Sequence, residues 1–159
     1  MNGLQRGTSG FTVQSKRKMN GNRRYRTVVI GLLNGIVLGL VMKWVEMLSG
    51  IKVYTLLLNV DFLPVIGTVP WGEESLFLFH LLFSLAITYG YVQIVVPLKL
   101  FRGWNTYLLA FLTIIPAVIL YFPLAAWSLT GAVLPSDMTA FSLWAFLHLF
   151  YALSLPKAI

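Results

Sequence analysis

Residues 75–96 contain no Asp, Glu, Lys or Arg over 22 consecutive positions. A helix of about 20 apolar residues, rising about 1.5 Å per residue, crosses a hydrocarbon core about 30 Å thick. Three other largely apolar runs have a similar length, at residues 27–48, 104–127 and 139–155. The sequence therefore predicts an all-α integral membrane protein, with four transmembrane helices in a domain at residues 27–156.

The amino-acid composition supports a membrane protein and excludes a soluble domain. The chain is 58% hydrophobic and 11% charged, whereas a soluble domain is about 45–50% apolar and about 25% charged. A soluble globular domain is therefore excluded. The chain also has no cysteine, which rules out disulfides and thiolate metal sites.

The net charge of +7 is confined to the N-terminus. Residues 1–26 hold seven of the 12 basic residues and none of the 5 acidic ones, so the rest of the chain is neutral. The seven are Arg6, Lys16, Arg17, Lys18, Arg23, Arg24 and Arg26. A nucleic-acid-binding protein needs a basic face on a folded domain, so we predict no nucleic-acid partner. We predict instead a basic, disordered cytoplasmic tail at residues 1–26 that contacts anionic lipid headgroups.

The distribution of Lys and Arg predicts the orientation, because short loops rich in these residues stay in the cytoplasm. With the N-terminus inside, the tail residues share their side with Lys99, Arg102 and Lys157, and the opposite side holds only Lys52. This predicts an N-in/C-in topology. A cleaved secretory signal is the alternative, but no small-x-small pattern follows Met47, so we expect an uncleaved first span.

Glycine and proline residues divide the chain into its helices. They predict connections at residues 49–74 and 128–137, the first with a partly buried or interfacial segment at residues 53–63, which is too short to cross a membrane. Pro116 and Pro123 lie seven residues apart and so near one face of the third span. We expect a helix kink there, packed inside the bundle where neighbouring helices satisfy the freed carbonyls.

Small residues recur every four positions in the first span, at Gly31, Gly35 and Gly39. Such a stripe lets two helix backbones approach closely. It predicts a helix-packing surface that another helix of the same chain covers or, alternatively, a second copy in a homo-oligomer. Asn34 lies beside the stripe, where its side chain can form a hydrogen bond across it.

Ionisable residues inside a membrane span are unusual and indicate function. Lys43 and Glu46 lie three residues apart on one helix face, and His80 and His148 lie in the same half of the membrane under the predicted topology. These four residues predict a polar cluster in the outer half of the bundle. The alternatives are a lysine that extends to the interface and isolated histidines that bond a neighbouring helix.

Sequence motifs of known catalytic chemistry are absent from this chain. We therefore predict no catalytic residue, no cofactor and no metal site, and the leading hypothesis is a non-enzymatic envelope protein that self-associates. One alternative is a channel or transporter component that uses the polar cluster. Another is a lipid-modifying enzyme that uses the outer carboxylates, which are Asp61, Glu73, Glu74 and Asp137.

Several segments resemble the YagU-like family of small bacterial inner-membrane proteins. GLLNGIVLGLVMKW at residues 31–44 is similar to the family's first helix, and HLLFSLAITYGY at residues 80–91 is similar to its second. FPL at residues 122–124 and the pair His148-Leu149 resemble parts of the third and fourth. A glutamate of the family's last helix is not matched, since residues 142–144 are Ser, Leu and Trp. The resemblance implies a multi-pass protein of the bacterial cytoplasmic membrane, of uncharacterised activity, linked to envelope or acid-stress tolerance.

Overall fold

The computed structural model describes residues 21–61, 63–98, 103–129 and 131–159. Within these ranges the regular structure is entirely helical. In chain order the helices are α1 (Gly21–Ser49), α2 (Val53–Leu57), α3 (Glu73–Val95), α4 (Trp104–Ile119), α5 (Tyr121–Trp127) and α6 (Met138–Ala152), followed by a 3₁₀ helix at Leu155–Ala158. Four segments are long and apolar enough to cross a membrane: Gly21–Ser49, Glu73–Val95, Trp104–Trp127 and Met138–Ala158. The predicted all-α class is confirmed.

Local sequence explains where the long helices begin and end. Helix α1 ends before Gly50, which adopts a positive φ of 74° and donates its N–H to the Glu46 carbonyl at 2.8 Å, as helix-terminating glycines do. Helix α3 ends two residues before Pro97, because proline has no N–H with which to continue the helical hydrogen bonds. Asp137 caps α6, since its carboxylate accepts the backbone N–H groups of the first turn.

Helix α1 begins at Gly21, six residues earlier than the predicted start of the first span at Thr27. Arginine is a good helix former, and its long side chain reaches the headgroup region from a helix that continues past the hydrocarbon. The Thr27 hydroxyl also donates to the Arg23 carbonyl at 2.8 Å. The remainder of the predicted tail, residues 1–20, lies outside the described residues, as do Lys99 and Arg102.

The third span is interrupted at Leu120, between α4 and α5. A proline ring clashes with the carbonyl four residues before it, and for Pro123 that carbonyl belongs to Ile119, the last residue of α4. A neighbouring helix bonds the backbone close to this break: the Trp144 indole of α6 donates to the Ala117 carbonyl at 3.0 Å.

Two helix pairs form the bundle: α1 packs along α3, and α4 packs along α6. One end of the bundle, the terminal end, holds the start of α1 and the C-terminus, because the Arg26 guanidinium donates to the Lys157 carbonyl at 2.7 Å. The opposite end, the loop end, holds both long connections, because the Leu129 N–H donates to the Asp61 carboxylate at 3.1 Å.

Large apolar side chains cover the outside of the spans. Leu40 is 56% exposed, Leu108 57% and Phe146 65%. A soluble protein rarely exposes contiguous apolar surface on this scale, whereas a bilayer solvates it. Together with the four long apolar helices, this surface makes the chain a multi-pass membrane protein.

Candidate functional site

The glycine stripe of α1 faces α3 of the same chain. A Cβ built on Gly35 would lie 2.8 Å from the Ser84 Cβ, and one built on Gly31 would lie 3.3 Å from the Thr88 Cβ. The close approach lets α3 side chains reach α1 carbonyls: the Ser84 hydroxyl donates to the Gly31 carbonyl at 2.6 Å, and His80 Nε2 donates to the Gly35 carbonyl at 3.0 Å. The stripe is therefore occupied within the chain.

Asn34, beside the stripe, does not donate a hydrogen bond across it. Its side-chain Nδ2 is buried and has no hydrogen-bond partner among the described residues. Gly31 and Gly35 present their carbonyls to α3 on the adjacent face, and Ser84 and His80 already bond them. The cross-helix bonds thus come from α3, whose polar residues lie on the line of closest approach.

Tyr151 connects α6 to α3 and was not singled out from the sequence. Its hydroxyl lies 3.0 Å from the Ser84 backbone carbonyl, to which it donates, and 3.0 Å from both the Ser84 and Thr88 hydroxyls. The signal was present in the spacing, since Trp144, His148 and Tyr151 follow one another at four and three residues and so share one helix face.

Lys43 pairs with Glu73 rather than with Glu46. Its ammonium lies 2.6 Å from the Glu73 carboxylate and 5.4 Å from the centre of the Tyr54 ring. The Tyr54 hydroxyl donates to the same carboxylate at 2.8 Å. Burial, and then this hydrogen bond, raises the pKa of Tyr54 above its usual range. Glu73, at the start of α3, is therefore a contact point for α1 and α2.

Glu46 holds the start of α2. Its carboxylate accepts the Thr55 backbone N–H at 2.8 Å and the Thr55 hydroxyl at 2.7 Å, and the Lys52 ammonium lies 3.4 Å away. Glu46 and Glu73 together fasten α2 across the loop end. The lysine and glutamate predicted to face the bundle interior instead hold this short helix in place.

The four residues of the predicted polar cluster are thus divided between two places. Lys43 and Glu46 line an open groove of about 620 Å³ between α1, α2 and the start of α3, together with Asp61 and Glu73. His80 and His148 line a separate cavity within the bundle. The sequence predicted one cluster from depth alone, but depth along a helix does not fix which neighbour a side chain meets.

The cavity has a volume of about 440 Å³ and lies between α3, α4 and α6 on the loop-end side of the bundle. Its walls are mainly apolar, from Leu38, Leu76, Phe79, Phe83, Ile87, Ile114, Pro116, Ala117, Leu120 and Leu124. The side chains of Ser84, Trp144 and Tyr151 join the two histidines on its inner wall. This size falls within the range of small-molecule sites, about 300–1,000 Å³.

The cavity has a side opening and a roof. Phe83 of α3 and Leu120 of the α4–α5 break both line it and are 58% and 41% exposed, so the opening faces the lipid between these two spans. Leu57 and Leu58, at the end of α2, cover the cavity at the loop end. Asn59 anchors this roof, since its amide donates to the Leu124 carbonyl of α5 at 3.4 Å.

Four spans that enclose a lipid-facing cavity define a multi-pass membrane protein with a ligand-sized internal space. Within the described ranges, no group of three or more His, Cys, Asp or Glu residues could hold a metal ion. Comparison of the chain with protein-family models, with curated proteins and with solved structures gives no match.

Proposed function

We propose that this chain is a non-enzymatic protein of the bacterial cytoplasmic membrane that binds an apolar molecule taken from the surrounding bilayer. The observation that carries the proposal is the cavity itself, which has apolar walls and an opening between Phe83 and Leu120. An apolar ligand already dissolved in the bilayer enters through such an opening without crossing water.

The chemistry of the polar residues favours binding over transport or catalysis. A channel needs a wet path, yet the Ser84 and Tyr151 hydroxyls of the inner wall donate to backbone carbonyls. A lipid-modifying enzyme would use the outer carboxylates, yet Asp61, Glu73 and Asp137 each accept hydrogen bonds that fix loops and helix starts. These carboxylate oxygens therefore accept hydrogen bonds that stabilise the fold.

We expect that an apolar quencher reaches Trp144 through the cavity. Trp144 is 1% exposed, so lipid outside the bundle does not touch it. In a variant that keeps Trp144 as its only tryptophan, 1-bromododecane in nanodiscs should quench its fluorescence saturably. Ala117→Phe should abolish this quenching by filling the cavity, and Ile87→Phe should do the same from the opposite wall.

The matched control is Ala126→Phe, the same change at an exposed position of α5 outside the cavity lining. It should leave quenching unchanged. Thermal unfolding of each variant in the same nanodiscs verifies that the bundle is intact. Linear, unsaturable quenching of Trp144, or equal quenching in folded Ala117→Phe and wild type, would contradict the proposal.

We also propose that the terminal end lies in the cytoplasm and the loop end outside. The ten-to-one distribution of Lys and Arg supports this orientation. The contact between Arg26 and Lys157 places two of these basic residues at one end, whereas Glu73, Glu74 and Asp137 begin helices at the other. Anionic lipid headgroups of the inner leaflet are then the partners of the basic end.

Labelling of single introduced cysteines can test the orientation without background from native thiols, because the chain has no cysteine. We expect a membrane-impermeant maleimide to label Ser136→Cys in intact cells and Asn22→Cys only after lysis. Both positions are exposed, so burial does not explain a difference. Labelling of Asn22→Cys in intact cells, with Ser136→Cys protected, would reverse the assignment.

A further inference from the structure

Both histidines of the chain border a cavity whose walls are mainly apolar. His80 is 9% exposed and His148 is 5% exposed. His80 belongs to α3 and His148 to α6, so they approach the cavity from two different helices. The hydrogen-bond partner of each ring is a backbone carbonyl and not a charged side chain.

Those carbonyls fix which ring nitrogen carries the hydrogen. A carbonyl oxygen only accepts, so the nitrogen facing it must be the N–H donor. His80 uses Nε2 on the Gly35 carbonyl at 3.0 Å, and His148 uses Nδ1 on the Trp144 carbonyl at 2.8 Å. In the neutral ring, the other nitrogen is then a bare acceptor: Nδ1 of His80 and Nε2 of His148.

No described residue donates to either of these acceptors. The donors that share the cavity wall are already used: the Ser84 hydroxyl on Gly31, the Tyr151 hydroxyl on Ser84, and the Trp144 indole on Ala117. The Asn59 amide likewise donates to the Leu124 carbonyl. One N–H of Asn59 remains at the roof, whereas on the inner wall the unused hydrogen-bonding capacity consists of acceptors.

We propose that the ligand of this cavity is an apolar molecule that carries a hydroxyl group, an alcohol or a phenol, and that its O–H donates to the free nitrogen of His80 or His148. This proposal rests on the proposed function, because it names the chemistry of the molecule that the cavity binds. The hydroxyl reaches the inner wall, and the apolar body extends toward the opening between Phe83 and Leu120. A hydrocarbon or an ether of the same shape fills the cavity but leaves the acceptors unpaired.

The test compares 4-nonylphenol with 4-nonylanisole as competitors of 1-bromododecane in the single-tryptophan chain. The two probes differ only at the oxygen, which carries a hydrogen in the phenol and a methyl group in the anisole. Their concentrations are compared as mole fractions in the bilayer. A neutral hydrogen bond contributes enough to change affinity about 2- to 12-fold. We expect the phenol to restore Trp144 fluorescence at a mole fraction lower by about that factor.

The variants His80→Phe and His148→Phe locate the acceptor. Where these variants fold, loss of the relevant nitrogen should remove the preference for the phenol while the anisole still competes as in wild type. Ala126→Phe should retain the preference. Equal competition by phenol and anisole in the wild-type chain would overturn this inference and leave the proposed function intact, whereas the absence of any saturable quenching by 1-bromododecane would overturn the proposed function itself.

Discussion

Replacing Gly35 with leucine is expected to lower the free energy of unfolding by about 3 kcal/mol, because overpacking of a tight interface costs about 1–3 kcal/mol and the cross-helix hydrogen bonds are lost as well, at about 0.6 kcal/mol each in a membrane. Even a Cβ at this position would lie 2.8 Å from the Ser84 Cβ and 2.9 Å from its hydroxyl oxygen. Helix α3 must therefore move away, which breaks the bonds from Ser84 to Gly31 and from His80 to Gly35.

Unfolding in mixed micelles of mild detergent and dodecyl sulfate, followed by circular dichroism, measures this change. Gly90→Leu is the matched control, since Gly90 lies within α3 and a Cβ there meets nothing within 4 Å. That control should be neutral or slightly stabilising, because glycine is a poor helix former. If Gly35→Leu unfolded at the same dodecyl sulfate fraction as Gly90→Leu, the packing of the stripe against α3 would be refuted.

Replacing Trp144 with alanine is expected to cost about 3–5 kcal/mol, the usual range for deleting a large buried aromatic side chain. Trp144 is 1% exposed, its indole donates to the Ala117 carbonyl, and its ring lies 4.4 Å from the His148 ring, centre to centre. The deletion removes packing between α4 and α6 and leaves a carbonyl unpaired beside the helix break.

The same micelle titration measures this loss, and Trp104→Ala is its control. Trp104 also lies in a membrane-spanning segment but is 90% exposed, so its removal should change the free energy of unfolding by less than about 1 kcal/mol. Trp144→Phe should fall between the two, because it keeps most of the packing and loses the hydrogen bond. Equal effects at positions 104 and 144 would show that Trp144 does not hold the two helices together.

The polar residues show which properties of a membrane protein its sequence predicts and which it does not. Their depth along each span follows from counting residues, and that count put Lys43, Glu46, His80 and His148 in the same half. Their partners depend on where α2 lies, and α2 is a five-residue helix inside a segment that the sequence described only as partly buried or interfacial. Glu73 and Thr55 therefore could not be identified as the partners of Lys43 and Glu46.

The cavity was not predicted, for a related reason. It exists because α3 and α4 leave a space between them near the break at Leu120, and helix separation depends on side-chain packing across the whole bundle. The sequence contains the two prolines and the spacing of Trp144, His148 and Tyr151, but neither specifies which helix stands opposite. Tyr151 connects α6 to α3 because its hydroxyl lies between Ser84 and Thr88, and its spacing on α6 does not specify these partners.

The sequence by itself determined the class of this protein and the number and approximate limits of its spans, because length and apolar content decide whether a helix is stable in hydrocarbon. It also indicated the close-packing face of α1, because only small residues permit a close approach. The tertiary structure decided that α3 covers that face, that α2 roofs a lipid-facing cavity, and that the two histidines line it from two different helices. These features depend on contacts between residues far apart in the chain, which no local pattern specifies.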